Sequence, residues 1–315
     1  MKRKTFIQHS FALAGALSIA PHTWPSNYLL KKGLRKIVIL HTNDQHSQID
    51  PFPANDPTFP NAGGFARRAA IIQQIRKDEE HVLLLDAGDT FQGTPYFNFY
   101  GGELEFKLMS RMGYDASTMG NHDFDNGMEG FVKQLPHASF PFLNVNYDVT
   151  DTPLEGILKP WIIKNMQGIR IGIFGLGVEL HGLADPKLFG NVKYLNPVDK
   201  ANQTAIFLRN EKKCDFIICL SHLGFEYATS KISDKILAQT SKNIDLIIGG
   251  HTHTFLAQPV EIKNLQNKPT WVAQAGWGGI ILGRMDFIFD ENNSILTTQH
   301  DLYKIFKKTG AIEPL

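Results

Sequence analysis

This sequence of 315 residues has few cysteines, almost no excess of one sign of charge and few long apolar runs. Its two cysteines, Cys214 and Cys219, bracket one apolar run and would lie about 16 Å apart along a strand, too far for a disulfide, so we expect two buried thiols. Basic and acidic residues number 32 and 31 and form no long basic run, which argues against long nucleic acid as the main substrate. With 43% hydrophobic residues, the composition is that of an ordinary globular protein.

The N-terminus has the composition of an export signal. Lys2, Arg3 and Lys4 are basic, and the apolar segment at residues 11–20 is too short to cross a bilayer of about 30 Å. Residues 3–7 are similar to a twin-arginine signal with lysine in place of the second arginine. No cysteine that could carry a lipid lies nearby. We therefore predict a signal peptide and linker over residues 1–33, export to the periplasm or cell envelope, and no stable membrane anchor.

Five short apolar runs each end in residues that can bind a metal ion: IVILHTNDQH, VLLLDAGD, STMGNHDFD, FIICLSH and LIIGGHTH. Consecutive valine, isoleucine and leucine are typical of strands in a parallel sheet buried on both faces. In open α/β sheets, ligands bind just outside the carboxyl ends of the strands. We therefore expect the donors at these five ends to converge on one site. They are Asp44, His46, Asp89, Asn121, His222, His251 and His253.

Seven protein donors are too many for one ion. A cation takes about four to six ligands, some of them water, so the set predicts two divalent ions with one shared carboxylate. Asp89 is the expected bridge, because it stands alone after its strand and its two oxygens can face different cations. Mixed nitrogen and oxygen donors suit Mn, Zn, Co or Fe.

The order of these motifs resembles the calcineurin-like metallophosphoesterases, and within them the 5'-nucleotidase and UDP-sugar hydrolase branch. The similar segments are Asp44-Gln45-His46, Gly88-Asp89, residues 120–125 (GNHDFD), Ser221-His222 and residues 249–253 (GGHTH). Residues 39–44 and 63–67 also match this branch, so the resemblance runs from about residue 36 to about residue 290. Five motifs in order are far more specific than any one of them.

The resemblance implies a role for each of these residues. Asp44, His46, Asp89 and His253 would hold the first metal, and Asp89, Asn121, His222 and His251 the second. His122 would be the catalytic histidine, oriented by Asp125. The sequence departs from the best-known members in having Asp123 where glutamate is common and His253 where some have glutamine. Both residues are still donors, so the changes bear on which metal is preferred.

The pattern of elements predicts the fold class. Helices are expected over residues 64–78, 103–112, 128–135, 197–213 and 227–241, and later strands over residues 142–145, 161–164, 169–176, 271–274 and 283–289. About ten strands exceed one short sheet, so we expect two sheets face to face with helices outside. The resemblance implies the corresponding four-layer α/β-β/α sandwich of two mixed sheets.

The expected reaction is hydrolysis of small phosphate monoesters, most of all nucleotides. Two cations lower the pKa of a shared water molecule, the resulting hydroxide attacks phosphorus, and the His122 and Asp125 pair assists the leaving group. Alternative substrates are UDP-sugars and 2',3'-cyclic nucleotides. A thiosulfohydrolase-like enzyme and a catalytically silent binding subunit of a two-chain nucleotidase also stay open.

The resemblance also bears on domain organisation. We expect one catalytic domain over residues 34–315 without the C-terminal nucleotide-specificity domain of two-domain nucleotidases, so a separate chain resembling that domain is a possible partner.

Five residues near the motifs are expected to have no direct part in metal binding or catalysis. We predict supporting positions for Asp86 and Asp123 and a packed position for His41. Arg68, on the predicted helix over residues 64–78, is expected to be solvated, like its neighbour Arg67.

Overall fold

The computed structural model describes residues 33–306. Residues 1–32, which are nearly all of the predicted signal peptide and linker (residues 1–33), and residues 307–315 lie outside the described residues. The strands are β1 (Arg35–Thr42), β2 (Val82–Asp86), β3 (Ala116–Thr118), β4 (Phe142–Leu143), β5 (Tyr147–Asp148), β6 (Trp161–Met166), β7 (Ile169–Leu176), β8 (Lys193–Tyr194), β9 (Phe216–Ser221), β10 (Leu246–Gly249), β11 (Val260–Lys263), β12 (Pro269–Ala273), β13 (Ile281–Phe289) and β14 (Ile295–Lys304). The α-helices are α1 (Phe65–Asp78), α2 (Pro95–Tyr100), α3 (Glu103–Met112), α4 (Gly127–Gln134), α5 (Pro186–Phe189), α6 (Pro197–Asn210) and α7 (Asp234–Thr240).

Two six-stranded mixed sheets carry the fold. Sheet 1 has the order β14-β13-β1-β2-β3-β4, with β1 to β4 parallel and β13 and β14 antiparallel. Sheet 2 has the order β11-β12-β10-β9-β7-β6, with a parallel centre and antiparallel edges at β11 and β6. Strands β5 and β8 form a small separate ribbon.

The sheets pack face to face between two layers of helices. In β1, Ile37 and Ile39 belong to the core between the sheets, together with residues such as Ile218 on sheet 2. The alternate residues Val38 and Leu40 pack in a second core that includes buried side chains of α1 and α3. Because side chains alternate along a strand, burial on both faces accounts for the unbroken apolar run. The predicted four-layer architecture is confirmed.

On the other side, α6 and α7 cover sheet 2. Leu208 and Leu237 from these helices share a core with Ile217. Cys214 and Cys219 lie in the same core as buried free thiols, as expected. Within residues 33–306, no helix combines the length and apolar character needed to cross a bilayer.

The structure differs most from the predicted elements at one helix start and one missing strand. The helix expected over residues 227–241 begins only at Asp234, because Ser233 caps it and accepts from the backbone N–H of Ile236. The sequence pattern predicts no strand after Phe289, yet β14 pairs along β13. A tight turn after β13 reverses the chain, with Asp290 Oδ1 accepting from the backbone N–H groups of Asn292 and Ser294.

Candidate metal centre

All seven predicted metal-binding residues lie at one edge of the two sheets, each within five residues of a strand's carboxyl end. Sheet 1 contributes Asp44 and His46 after β1, Asp89 after β2 and Asn121 after β3. Sheet 2 contributes His222 after β9, and His251 and His253 after β10. The residues therefore converge from both sheets, as parallel strand ends predict.

Six of these side chains form two groups with metal-binding geometry. Asp44, His46 and His253 form one group and Asp89, His222 and His251 the other, with potential ligand atoms in each group within 4.8 Å of one another. In the first group, His46 Nε2 lies 2.9 Å from His253 Nε2, and Asp44 Oδ1 lies 3.4 Å from His253 Nε2.

Asp89 lies between the two groups. Its Oδ2 is 3.1 Å from His222 Nε2 in its own group and 3.9 Å from His46 Nε2 in the other. This placement suits a carboxylate that faces two cations.

Two buried atoms indicate that cations fit these groups. Within the described part of the chain, Asn121 Oδ1 is buried and has no hydrogen-bond partner. His222 Nε2 is buried too, and although Asp89 Oδ2 lies 3.1 Å away, the angles of this contact do not make a hydrogen bond. A buried polar atom without a partner costs free energy, so such atoms need an explanation. An amide oxygen and an imidazole nitrogen are both good ligands, and a divalent cation would satisfy both.

The backbone is strained at most of the candidate ligands. Five of the seven have φ in the left-handed region, which non-glycine residues rarely adopt: Asp44 (48°), His46 (48°), Asp89 (54°), His251 (70°) and His253 (53°). Such conformations cost free energy and persist where the surrounding structure imposes them, often at functional sites.

Hydrogen bonds hold several of the ligands in place. His222 Nδ1 lies 2.7 Å from the carbonyl oxygen of Ala87, which leaves Nε2 to face Asp89. His46 Nδ1 lies 3.3 Å from the carbonyl oxygen of Phe91. The Asp44 carboxylate accepts from the backbone N–H of His251 at 3.0 and 2.9 Å. Backbone acceptors of this kind orient histidine ligands in metal sites.

Asp86 and Asp123 support the loops, as predicted. Asp123 accepts from four backbone N–H groups, those of Asp89, Thr90, Phe91 and Gly120, and so ties the loop after β2 to the loop after β3. Asp86 accepts from the side chains of Thr42, Gln45 and Ser117. Burial raises the pKa of Asp123 to about 7 and that of Asp86 to about 6.

The carboxylates of Asp44 and Asp89 and the neighbouring histidines shift one another's pKa values. Burial alone would lower the pKa of His222, but Asp89 and Asp44 outweigh burial and raise it. Burial would likewise raise the pKa of Asp89, but His222 and His46 hold it below its ordinary value. Burial lowers the pKa of His251 to about 4, so this ring is neutral and able to bind a metal. The carboxylates therefore favour positive charge between them, which a divalent cation supplies.

His122 and Asp125 lie at the rim of the same site. His122 Nδ1 is 2.8 Å from Asp125 Oδ2, and the ring centroids of His122 and His46 are 5.3 Å apart. The His122 side chain is one-third exposed, so solvent or a substrate can reach it. The hydrogen bond to Asp125 raises the pKa of His122.

The structure corrects one expectation and adds two residues. Arg68 was expected to be solvated, but it is fully buried: its guanidinium donates to Gln45 and lies 4.2 Å from the Phe65 ring centroid. Burial of His41 is confirmed. Asn43 and Trp277 were missed. Asn43 donates to Asp44 Oδ2 at 2.6 Å, and the Trp277 indole stacks on His253 with 5.6 Å between centroids.

Comparisons with known proteins agree with this fold and site. A family model described as calcineurin-like phosphoesterase matches residues 37–255. The trifunctional nucleotide phosphoesterase YfkN of Bacillus subtilis is 33% identical over 305 residues, covering 86% of this chain and 19% of that protein. The 5'-nucleotidase of Bos taurus is 33% identical over 285 residues, covering 84% of this chain and 48% of that protein.

A solved structure gives the same answer. The 5'-nucleotidase precursor of Thermus thermophilus aligns with a TM-score of 0.79 and 30% identity, covering 86% of this chain and 55% of that one. The chain therefore spans about half or less of the length of these relatives. It belongs to the calcineurin-like phosphoesterase family, and the resemblance seen in its motifs is confirmed. The relatives are hydrolases of phosphoric esters, the enzyme class that the motifs predict.

Proposed function

We propose that this chain hydrolyses small phosphate monoesters, 5'-nucleotides above all, with the help of two divalent cations. The observation that carries the proposal is the pair of ligand groups at one sheet edge, with His122 at their rim. The donors mix imidazole nitrogen with carboxylate and amide oxygen, which suits Mn, Zn, Co or Fe.

Each cation has a proposed set of ligands. Asp44, His46, Asp89 and His253 would hold the first, and Asp89, Asn121, His222 and His251 the second. The position of Asp89 Oδ2 near histidines of both groups supports its shared role. When bound, two divalent cations activate water for attack on phosphorus and neutralise charge on the phosphoryl oxygens.

His122 has the proposed role of general acid. Its Nδ1 is bound to Asp125, which fixes the ring and leaves Nε2 available to give a proton to the departing oxygen. Asp125 thus acts as the orienting residue, and it stabilises the protonated ring.

The substrate class is supported by the relatives, which are named as a nucleotide phosphoesterase and 5'-nucleotidases. After 5'-nucleotides, UDP-sugars and then 2',3'-cyclic nucleotides are the next candidate substrates. We further propose that the chain is exported, on the basis of residues 1–20. The relatives are longer than this chain, which is compatible with base recognition by a partner that resembles their remaining part. Stacking of a base on aromatic side chains of such a partner would contribute about 1–3 kcal/mol.

A substrate panel on the purified chain tests the proposal. It compares AMP, UMP, UDP-glucose, 2',3'-cyclic AMP, nitrophenyl phosphate and a nitrophenyl diester, before and after chelation. We expect the monoesters to react fastest, chelation to abolish activity and Mn²⁺ to restore it. Activity that resists chelation would contradict the proposal, and a chain that binds Mn²⁺ but hydrolyses nothing would favour the silent binding subunit.

A further inference from the structure

His253 is more exposed to solvent than the candidate ligands His46 and His222. Its side chain is 39% exposed, compared with 8% for His46 and 0% for His222. Within residues 33–306, no backbone carbonyl or carboxylate accepts a hydrogen bond from its ring, whereas carbonyl oxygens lie within reach of His46 and His222. Metal-binding histidines usually gain their orientation from such a second hydrogen bond. The His253 ring must therefore be oriented in another way.

An aromatic ring orients His253 in place of a hydrogen bond. The Trp277 indole lies nearly parallel to the His253 imidazole, with an interplanar angle of 12° and 5.6 Å between centroids. Offset stacking of this kind restricts rotation of a ring without occupying either nitrogen. Nε2 of His253 is then free to face His46 and Asp44.

The turn that carries Trp277 is attached to the candidate metal centre. Asn43 accepts from the backbone N–H of Ala275 at 2.7 Å and donates to the carbonyl of Gly276 at 2.6 Å. The backbone N–H of Gly278 donates to the carbonyl of Asp44 at 2.7 Å. Gly276 and Gly278 have φ of 73° and 61°, which glycine adopts without strain. The loop of one ligand, Asp44, thus sets the position of the ring that contacts another, His253.

Two phenylalanines pack against the indole. The rings of Phe52 and Phe59 meet Trp277 at 83° and 76°, with centroids 5.3 and 6.2 Å away. These T-shaped contacts, together with the stacking on His253, restrict rotation of the indole. The position of Trp277 is therefore set by its neighbours as well as by its backbone.

We propose that Trp277 is a positioning residue of the candidate metal centre: its indole holds the His253 imidazole with Nε2 turned toward Asp44 and His46. The proposal rests on the proposed function, since it assigns a role at the same site. Loss of the indole should release the His253 ring and weaken one of the two cation sites.

Calorimetric titration of metal-free protein with Mn²⁺ tests this role. W277L removes the stacking face but keeps an apolar side chain, and we expect it to weaken one of the two Mn²⁺ sites by about 10- to 100-fold, the usual effect of losing a group that orients a metal ligand. W277F keeps a stacking ring and should retain most of the affinity. W271L is the matched control, because Trp271 is a partly buried indole that packs on Phe287, at the core between the sheets and outside the candidate metal centre.

The outcomes separate the two proposals. A wild-type chain that binds no Mn²⁺ overturns both of them. A wild-type chain that binds two ions, together with W277L binding them equally well, overturns only the role of Trp277. A second measurement needs no variant: the indole ring current should shift the His253 ring protons in the NMR spectrum of the metal-free chain. Chemical shifts typical of an unstructured histidine would also overturn the proposed role of Trp277.

Discussion

Gly120 lies so close to the candidate ligands that no larger residue fits. A Cβ atom there would lie 2.1 Å from Asp89 Oδ1 and 2.6 Å from His222 Nε2, well inside van der Waals contact. We expect Gly120→Ala to displace both side chains and to weaken Mn²⁺ binding by at least about 10-fold, as measured by calorimetric titration. Gly172→Ala is the control, since the atoms nearest to its Cβ would be those of Cys214 and Leu208 in the core, at 3.1 Å. Equal Mn²⁺ affinity in both variants would contradict the prediction.

Removal of the His122 ring should separate chemistry from metal binding. Because His122 is expected to protonate the leaving group, His122→Ala should lose about 10² to 10⁴ in kcat on a nucleotide but less on nitrophenyl phosphate, whose leaving group needs no proton. Its Mn²⁺ content should match that of the wild type. His181→Ala serves as control, because this ring is on the surface, 73% exposed. An equal loss on both substrates would show that His122 is not the general acid.

At the scale of single residues, the sequence predicts the ligands better than their supports. Asp44 and His251 could be assigned because each follows an apolar strand inside a recognisable motif. Trp277 and Arg68 could not. The contact of Trp277 with His253 joins the loop after β12 to the loop after β10, and the burial of Arg68 depends on Gln45, which precedes it by 23 positions. Neither contact leaves a periodic signal in the sequence.

At the scale of elements, a group of charged side chains joins α1 to sheet 1. Arg284 on β13 donates to Asp286 through Nε at 2.6 Å and Nη2 at 2.7 Å, and also to Glu79 at the end of α1 at 2.6 Å. Lys36 on β1 lies 2.6 Å from Glu79 and 3.6 Å from Asp286. All four side chains are about nine-tenths buried. The end of α1 is thus held by charges from two strands.

Breaking this group should destabilise the fold. Arg284→Leu leaves two buried carboxylates facing Lys36 alone, and we expect a loss of about 3 kcal/mol in the free energy of unfolding, because uncompensated buried charge is costly. Lys107→Ala, which removes a half-exposed pair with Glu103 within α3, should cost about 0.3–0.5 kcal/mol. Urea unfolding of the two variants measures the difference. Similar losses of unfolding free energy in the two variants would show that burial of the charged group around Arg284 does not increase its contribution to stability.

Elements were predicted well where both faces are buried and poorly at the surface. The bounds of β7 and α3 match the expectations, since all but one residue of β7 is buried and α3 has a regular apolar face. Strand β14 was missed because it lies at the sheet edge with no fully buried residue, so it lacks an apolar pattern. The start of α7 was misplaced because Tyr227 is held by its hydroxyl, which donates to the carbonyl of Leu223, outside any helix.

At the scale of the whole molecule, cation binding should stabilise the fold. The candidate ligands come from both sheets, so a cation bound there links them in the folded state only. A ligand at one hundred times its Kd adds about 2.7 kcal/mol to the free energy of unfolding when the unfolded chain does not bind it. We expect Mn²⁺ to raise Tm and a chelator to lower it. An unchanged Tm after saturation with Mn²⁺ would contradict this coupling.

One hydrogen bond at the candidate metal centre joins residues that are far apart in the sequence, which determines when the centre can form. The backbone N–H of His251 donates to a carboxylate 207 positions earlier in the chain, that of Asp44. A nascent polypeptide that has formed β1 to β4 but has not yet reached the loop after β10 holds Asp44 and Asp89 without His251 and His253. Such a chain cannot gather two cations at the proposed centre. The proposed activity therefore arises only after the loop that follows β10 has been synthesised.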